Sequence, residues 1–211
     1  HVMTVIDSDA HVIETTETWK YIRPEDVEYT PLSVSRDWGP DIEGRQGEIQ
    51  QEFWVIDGFL QSKMAGMNAD APEEARTMSD VSRRLEHMDE LGVDIQVLYP
   101  TVFLRPLTRK ADLQFALYRS YNRWLADIWK RSDNRLRWVA MAPMLAGDRL
   151  RDELEFCRDN GAVGIFLSGQ ECDRMLSDPW FFPLYELAQE LDLAICPHSA
   201  SNCFTTYDFH K

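Results

Sequence analysis

Long apolar runs are missing from this sequence. No stretch approaches the ~20 residues that a membrane-spanning helix needs, and no secretory signal is visible at the start. The expectation is a protein without a membrane partner. Positive charge is scarce as well: 22 Lys and Arg face 36 Asp and Glu, a formal net charge of -14. No basic stripe stands out against that balance, which argues against a phosphate-backbone binder and leaves no nucleic-acid partner to expect. Cysteine is sparse. Cys157, Cys172, Cys196 and Cys203 form no Cys-x-x-Cys pair, and a chain of this size does not depend on disulfides. Reduced thiols in a cytoplasmic protein are expected. His1 and Val2 read as a remnant ahead of a natural start at Met3.

What is present is an ordinary globular composition, 44% hydrophobic and 27% charged, in 211 residues, enough for one domain with a real core. The most informative segment runs from Val5 to Glu14. Val2, Met3, Val5 and Ile6 read as a buried strand. It ends in Asp9 and His11, two residues apart, and residues i and i+2 of a strand point to the same side. A carboxylate and an imidazole would meet just past the strand's C-terminal end, a donor pair suited to Zn²⁺, Mn²⁺ or Fe²⁺. Parallel α/β folds place active sites at that end. Asp-x-His also arises by chance: Asp9 as a turn cap and His11 as a satisfied polar residue are the plain alternatives.

Residues 14–79 read as a long irregular insertion, rich in Glu, Asp, Gly and Pro, with Trp19, Tyr21, Tyr29, Trp38, Phe53, Trp54 and Phe59 scattered through it. Its position after the first strand would set it over the mouth of a site. Regular patterns follow. Ser79 or Asp80 caps a helix to about Leu91, with Leu85, Met88 and Leu91 on one face and Gly92 as its stop. Val93–Tyr99 is a strand, 111–131 a long amphipathic helix, Leu136–Met144 a third strand, and Asp148–Arg158 a helix. Val163–Leu167 is a fourth strand, Pro179–Leu191 a helix, and Leu193–Cys196 a fifth strand followed by Pro197 and His198. The strands are short continuous apolar runs, as in parallel sheets buried on both faces. In a closed barrel, Asp9, His11 and His198 share one rim.

These residues resemble the amidohydrolase-related proteins, metal-dependent hydrolases and decarboxylases that include aminocarboxymuconate semialdehyde decarboxylase and resorcylate decarboxylase. Val5 to Glu14 is similar to the family's first-strand signature, and Arg84 to Leu98 to its second βα unit. Tyr121-Asn122-Arg123-Trp124-Leu125 with Arg135-Leu136 resembles the lead into strand three, and Gly161-Ala162-Val163-Gly164-Ile165 resembles strand four. Asp178 to Tyr185 and Ile195-Cys196-Pro197-His198 resemble the helix and strand that deliver a ligand histidine. The resemblance implies a TIM-type (β/α)₈ barrel, of which residues 1–211 supply strands 1–5. It implies one divalent metal, zinc first and manganese or iron as alternatives. Asp9, His11 and His198 would be ligands, with Asp9 where relatives carry Glu or His. The family's strand-six histidine and catalytic strand-eight aspartate have no match here. His210 and Asp208 lie in the short tail after His198 without a strand to carry them. The remaining barrel is therefore expected as a separate piece or second chain, and a homodimer is a further expectation from the family.

Trp19, Phe103 and Arg105 are candidate substrate-binding residues, Arg105 as a bidentate carboxylate partner or a surface ion-pair member. Ser199 and Asn202 are candidate hydrogen-bond donors behind His198. Trp124, Trp129 and Trp138 read as core, and His87 as a helix-surface residue. The leading functional expectation is hydrolysis of a small amide, ester, lactone or thioester by a metal-activated water. Non-oxidative decarboxylation of an aromatic or unsaturated acid is the first alternative, and a non-catalytic truncated remnant is the second.

Overall fold

The structure is a computed structural model and describes residues 3–38, 49–63 and 70–198. Its backbone is a five-stranded parallel sheet. In chain order the first strand is β1 (Ile6–His11). A small antiparallel sheet follows, built from β2 (Leu32–Trp38), β3 (Ile49–Ile56) and β4 (Phe59–Ser62). Next come α1 (Glu73–Thr77), α2 (Val81–Leu91), β5 (Ile95–Tyr99), α3 (Ala111–Lys130), β6 (Leu136–Met141), α4 (Leu150–Asp159) and β7 (Ala162–Leu167). A two-residue-arm hairpin, β8 (Gln170–Glu171) and β9 (Arg174–Met175), precedes α5 (Phe182–Glu190) and β10 (Ala194–Pro197). The large sheet runs β1-β5-β6-β7-β10, every neighbouring pair parallel. Each connection carries at least one helix, the βα repeat that the continuous apolar strands predict.

The sequence explains the local stops and starts. Asp80 opens α2 by accepting from the backbone N–H of Ser82 at 2.9 Å and of Arg83 at 3.3 Å. Gly92 closes it in the left-handed region, φ 68°. Gly161, at φ 93°, leaves no room for a side chain, because an added Cβ would collide with the Trp129 ring. The long helix α3 buries Leu117, Tyr121, Leu125 and Ile128 completely against β6, whose Leu136, Trp138, Val139 and Ala140 are equally buried. The Tyr121-to-Leu125 motif is a structural lock. Asn122 pairs with both backbone groups of Met141, donating to its oxygen at 3.0 Å and accepting from its nitrogen at 2.9 Å. Arg123 grips Glu153 of α4 through two hydrogen bonds of 2.8 and 3.0 Å.

Four sequence expectations are corrected. The described parts of residues 14–79 are not irregular throughout: they carry β2, β3, β4 and α1, and Asp57 and Gly58 (φ 52° and 80°) make the two-residue turn between β3 and β4. An Asp-Gly pair between apolar runs is a strong hairpin signal, because both turn positions need positive φ. The first strand does not begin buried; Met3, Val5 and Ile6 are exposed, since β1 is an outer strand of the sheet. Leu91 is exposed at the end of α2 while Met88 is fully buried. The third strand ends at Met141 and not at Met144. Trp124 and Trp138 lie in the core and Trp129 packs against it. Cys157, Cys172 and Cys196 are free thiols; Cys203, Ser199, Asn202, Asp208 and His210 lie outside the described residues. No helix among the described residues is long and apolar enough to cross a membrane.

Candidate metal centre

Asp9 and His11 leave the C-terminal half of β1, and His198 directly follows β10. Adjacent strands sit about 4.8 Å apart, so the outer strands of a flat five-stranded sheet would be about 19 Å apart. Instead His198 Nε2 lies 3.2 Å from Asp9 Oδ1. The sheet is therefore curled so that its first and fifth strands face each other, as opposite strands of an eight-stranded barrel do.

The third donor atom, His11 Nε2, is 3.6 Å from the same Asp9 oxygen. All three donor atoms lie within 4.8 Å of one another. Metal–ligand bonds of about 2.0–2.2 Å place neighbouring donors roughly 3–3.5 Å apart, so the two separations from Asp9 Oδ1 suit one ion. The donor chemistry agrees. His11 Nδ1 lies 2.8 Å from the Pro100 carbonyl oxygen, an acceptor only, so Nδ1 carries the hydrogen and Nε2 keeps its lone pair toward the cluster. Burial lowers the His11 pKa, and the neighbouring His198 and Arg84 charges add to that effect. The Pro100 hydrogen bond and Asp9 oppose it without cancelling it. The shift favours the neutral ring, the form that binds metal. His198 Nδ1 is buried with no hydrogen-bond partner among the described residues. Tyr99 and Phe166 hold the His198 ring from β5 and β7, with centroids 5.3 and 5.9 Å away.

Around this cluster lies a polar layer that the motifs do not reveal. Arg84, buried on α2, donates to Gln96 Oε1 at 2.7 Å, to the Ala75 carbonyl and to the His11 carbonyl. Burial pulls its pKa down to about 10. Glu14 is buried as well, and burial pushes its carboxyl up to about 7 against the opposing pull of backbone hydrogen bonds. The signal for Glu14 was its position three residues past a candidate ligand histidine.

The other sequence candidates fall elsewhere. Trp19 and Phe103 are 4% and 3% exposed and meet edge to face, with centroids 6.3 Å apart; Trp54 packs on Trp19 from β3. The structure thus places both rings in the core and not on an open surface. Arg105 is half-buried on the segment after β5, on the same rim as His11. His87 is half-buried on α2, beside Asp7, Asp9 and Arg84 in a cavity of about 320 Å³.

A parallel βα sheet curled until its outer strands share an Asp-His-His cluster defines the class: a (β/α)₈ barrel with a candidate metal site, of which this chain supplies strands 1–5. The comparisons agree. A family model described as amidohydrolase matches residues 6–210, and the chain belongs to that family. No curated protein matches the sequence. Among solved structures, an amidohydrolase from Mycobacterium avium subsp. paratuberculosis K-10 superposes with a TM-score of 0.74 at 14% identity, over 100% of this chain and 61% of its own. The 5-carboxyvanillate decarboxylase from Novosphingobium aromaticivorans DSM 12444, in complex with manganese and 4-hydroxy-3-methoxy-5-nitrobenzoic acid, gives 0.59 at 20% identity, over 97% and 52%. A dihydroxybenzoic acid decarboxylase from Polaromonas sp. JS666, with manganese and 2-nitroresorcinol, gives 0.59 at 17%, over 99% and 53%. The chain spans between half and three fifths of these structures.

Proposed function

We propose that the complete protein is a metal-dependent, non-oxidative decarboxylase of a hydroxylated aromatic acid. The observation that carries this reading is the convergence of Asp9, His11 and His198 on one point at the strand ends of a fold whose relatives hold manganese beside nitrobenzoate and nitroresorcinol ligands. Hydrolysis, the leading expectation from sequence, stands second: the family description supports it, and no ligand of these relatives does.

A divalent ion held by Asp9 Oδ1 and the two Nε2 atoms would supply Lewis-acid charge to a phenolic or carboxylate oxygen. This chain's own residues do the rest of the holding. Asp9 contributes the anion of the ligand set, and its single oxygen faces both imidazoles. Pro100 fixes the His11 tautomer. Arg105 is proposed to bind the substrate carboxylate, from the loop next to that of His11. Trp19 and Phe103 enter the proposal as packing behind the rim. In the reaction the aryl–carboxylate bond breaks, carbon dioxide leaves, and the ring carbon takes a proton. The proton donor belongs to the three βα units that we propose complete the barrel, as a continuation or as a second piece. Manganese is the metal bound in the two decarboxylase structures; zinc fits the same two nitrogens and one oxygen.

The test is carbon dioxide release from ortho-hydroxybenzoates by the whole protein loaded with manganese or zinc, run beside simple ester and amide substrates. Release from the benzoates is the expected outcome. Ester or amide cleavage without carbon dioxide would return the hydrolase reading to first place, and neither activity with stoichiometric metal would point to a binding protein. Native mass spectrometry of the same sample reads the second piece and the oligomeric state directly.

A further inference from the structure

Glu14 is a buried carboxyl group: it is 2% exposed and makes no ion pair with Lys or Arg among the described residues. Its two oxygens instead take two consecutive backbone amides, Thr101 N–H at 3.0 Å on Oε1 and Val102 N–H at 3.0 Å on Oε2. Those amides directly follow Pro100, whose carbonyl accepts from His11 Nδ1. The same two segments are joined again by Thr101 Oγ1 donating to the Val12 carbonyl at 2.6 Å, and by Val12 N–H donating to the Tyr99 carbonyl at 3.0 Å. The segment that carries one candidate ligand is thus closed onto the segment that orients it.

Stability alone is a poor reason for this arrangement. Taking a carboxylate out of water costs several kcal/mol unless it is well compensated, and apolar side chains could fill the space at less cost. A carboxylate does offer two adjacent acceptor-only oxygens, which no neutral side chain matches. A glutamine would turn an amide N–H₂ against one of the two donors. The chemistry at position 14 therefore selects for holding two neighbouring amides at once, and what those amides hold is the turn that begins at Pro100.

We infer that Glu14 is a positioning residue of the candidate metal centre: its carboxylate fixes the Thr101–Val102 backbone, so that the Pro100 carbonyl holds His11 with Nε2 turned toward Asp9 and His198. The inference deepens the metal reading and rests on it. It concerns no contact between Glu14 and the ion; the action runs through one turn of backbone.

The experiment is a Co²⁺ titration of the whole protein, followed by visible absorption, in the wild type and in Glu14→Gln, His11→Ala and Leu154→Ala. Partners that orient a ligand histidine are worth about 10- to 100-fold in metal affinity. Glu14→Gln is expected to weaken Co²⁺ binding by that factor and to shift the absorption bands, because the ring angle changes. Leu154→Ala removes a fully buried side chain on α4 and lowers stability, yet should bind Co²⁺ as the wild type does. Wild-type affinity and bands in Glu14→Gln, beside lost binding in His11→Ala, overturn the inference and leave the metal centre standing. A wild type that binds no Co²⁺ overturns the metal reading and this inference with it. Should Glu14→Gln not fold, Glu14→Asp keeps the charge but shortens the reach. Exchange of the His11 Nδ1 hydrogen with water, followed by NMR, should then quicken about tenfold or more relative to wild type, and unchanged protection overturns the inference.

Discussion

The α3–α4 layer over the middle of the sheet and the segment after the outer strand β1 each bury a glutamate, and they do it for different ends. In the middle, Glu153 is 3% exposed and fully partnered: two hydrogen bonds from Arg123, and one from Asn122 at 2.9 Å. Its work is to tie α3 to α4 over β6 and β7, where the apolar side chains are buried outright. At the outer strand, Glu14 is equally buried but has only backbone donors, and its work is to place a turn beside a candidate ligand. The lesson is that burial alone does not separate scaffold from site. Partner type does: a side-chain cation marks an element-to-element brace, and paired backbone amides mark a loop held in register.

The sharpest break in that comparison is at the outer strands. His198→Ala should reduce bound metal from about one ion per chain to a trace, read by elemental analysis after dialysis, while circular dichroism stays native. Unchanged metal content would remove His198 from the ligand set. The matching cut in the middle is Arg123→Ala. Breaking a buried pair by removing one partner costs about 3–5 kcal/mol, and Glu153 would keep its burial without its cation. Urea denaturation should show that loss, with metal content intact in the folded fraction. A stability loss under ~1 kcal/mol would mean the brace is not a brace.

How much of this could be read in advance depends on the period of the signal. The convergence of Asp9, His11 and His198 was legible because two strands end where those residues stand, and strand alternation with helices fixes which ends share a rim. The αL stop at Gly92 and the cap at Asp80 were legible from single residues with one physical role each. The antiparallel sheet was hidden by its polar stretch: Gln50, Gln51 and Glu52 break the alternation, although Asp57-Gly58 between Phe53-Trp54-Val55-Ile56 and Phe59-Leu60 carried the turn. Glu14 was not legible as buried, since an acid opening an acidic loop reads as solvated. Nor was the role of Asn122 and Arg123, whose partners Met141 and Glu153 are 19 and 30 residues away.

A pH series isolates Glu14, and adds a further buried glutamate. Burial pushes Glu14 and, on β8, Glu171 up to about 7. In the unfolded chain both titrate near ~4.3. Between those values the folded protein holds more protons than the unfolded chain, so stability falls as pH rises. At ~1.4 kcal/mol per pKa unit, each group removes about 3 kcal/mol between pH ~4.5 and pH 8. Glu14→Gln and Glu171→Gln should each flatten that limb in urea titrations at pH 5.5 and 8. An unaltered slope in both would mean that neither proton is held by the fold.

The smallest effect lies at the start of α2, which connects the two regions because Arg84, on its first turn, reaches the His11 carbonyl. Asp80 takes two of the helix's otherwise unpaired N–H groups. Asp80→Ala should cost about 1 kcal/mol, the usual price of an N-cap. Asp80→Asn, which keeps an acceptor oxygen, should cost little. If α2 serves only as packing for the outer strand, metal affinity should not move in either variant. If fraying of α2 lets Arg84 release His11, Asp80→Ala should weaken the metal and Asp80→Asn should not. The pair of variants, measured for stability and for metal together, thus decides whether the site's rigidity stops at the Pro100 turn or extends into the helix behind it.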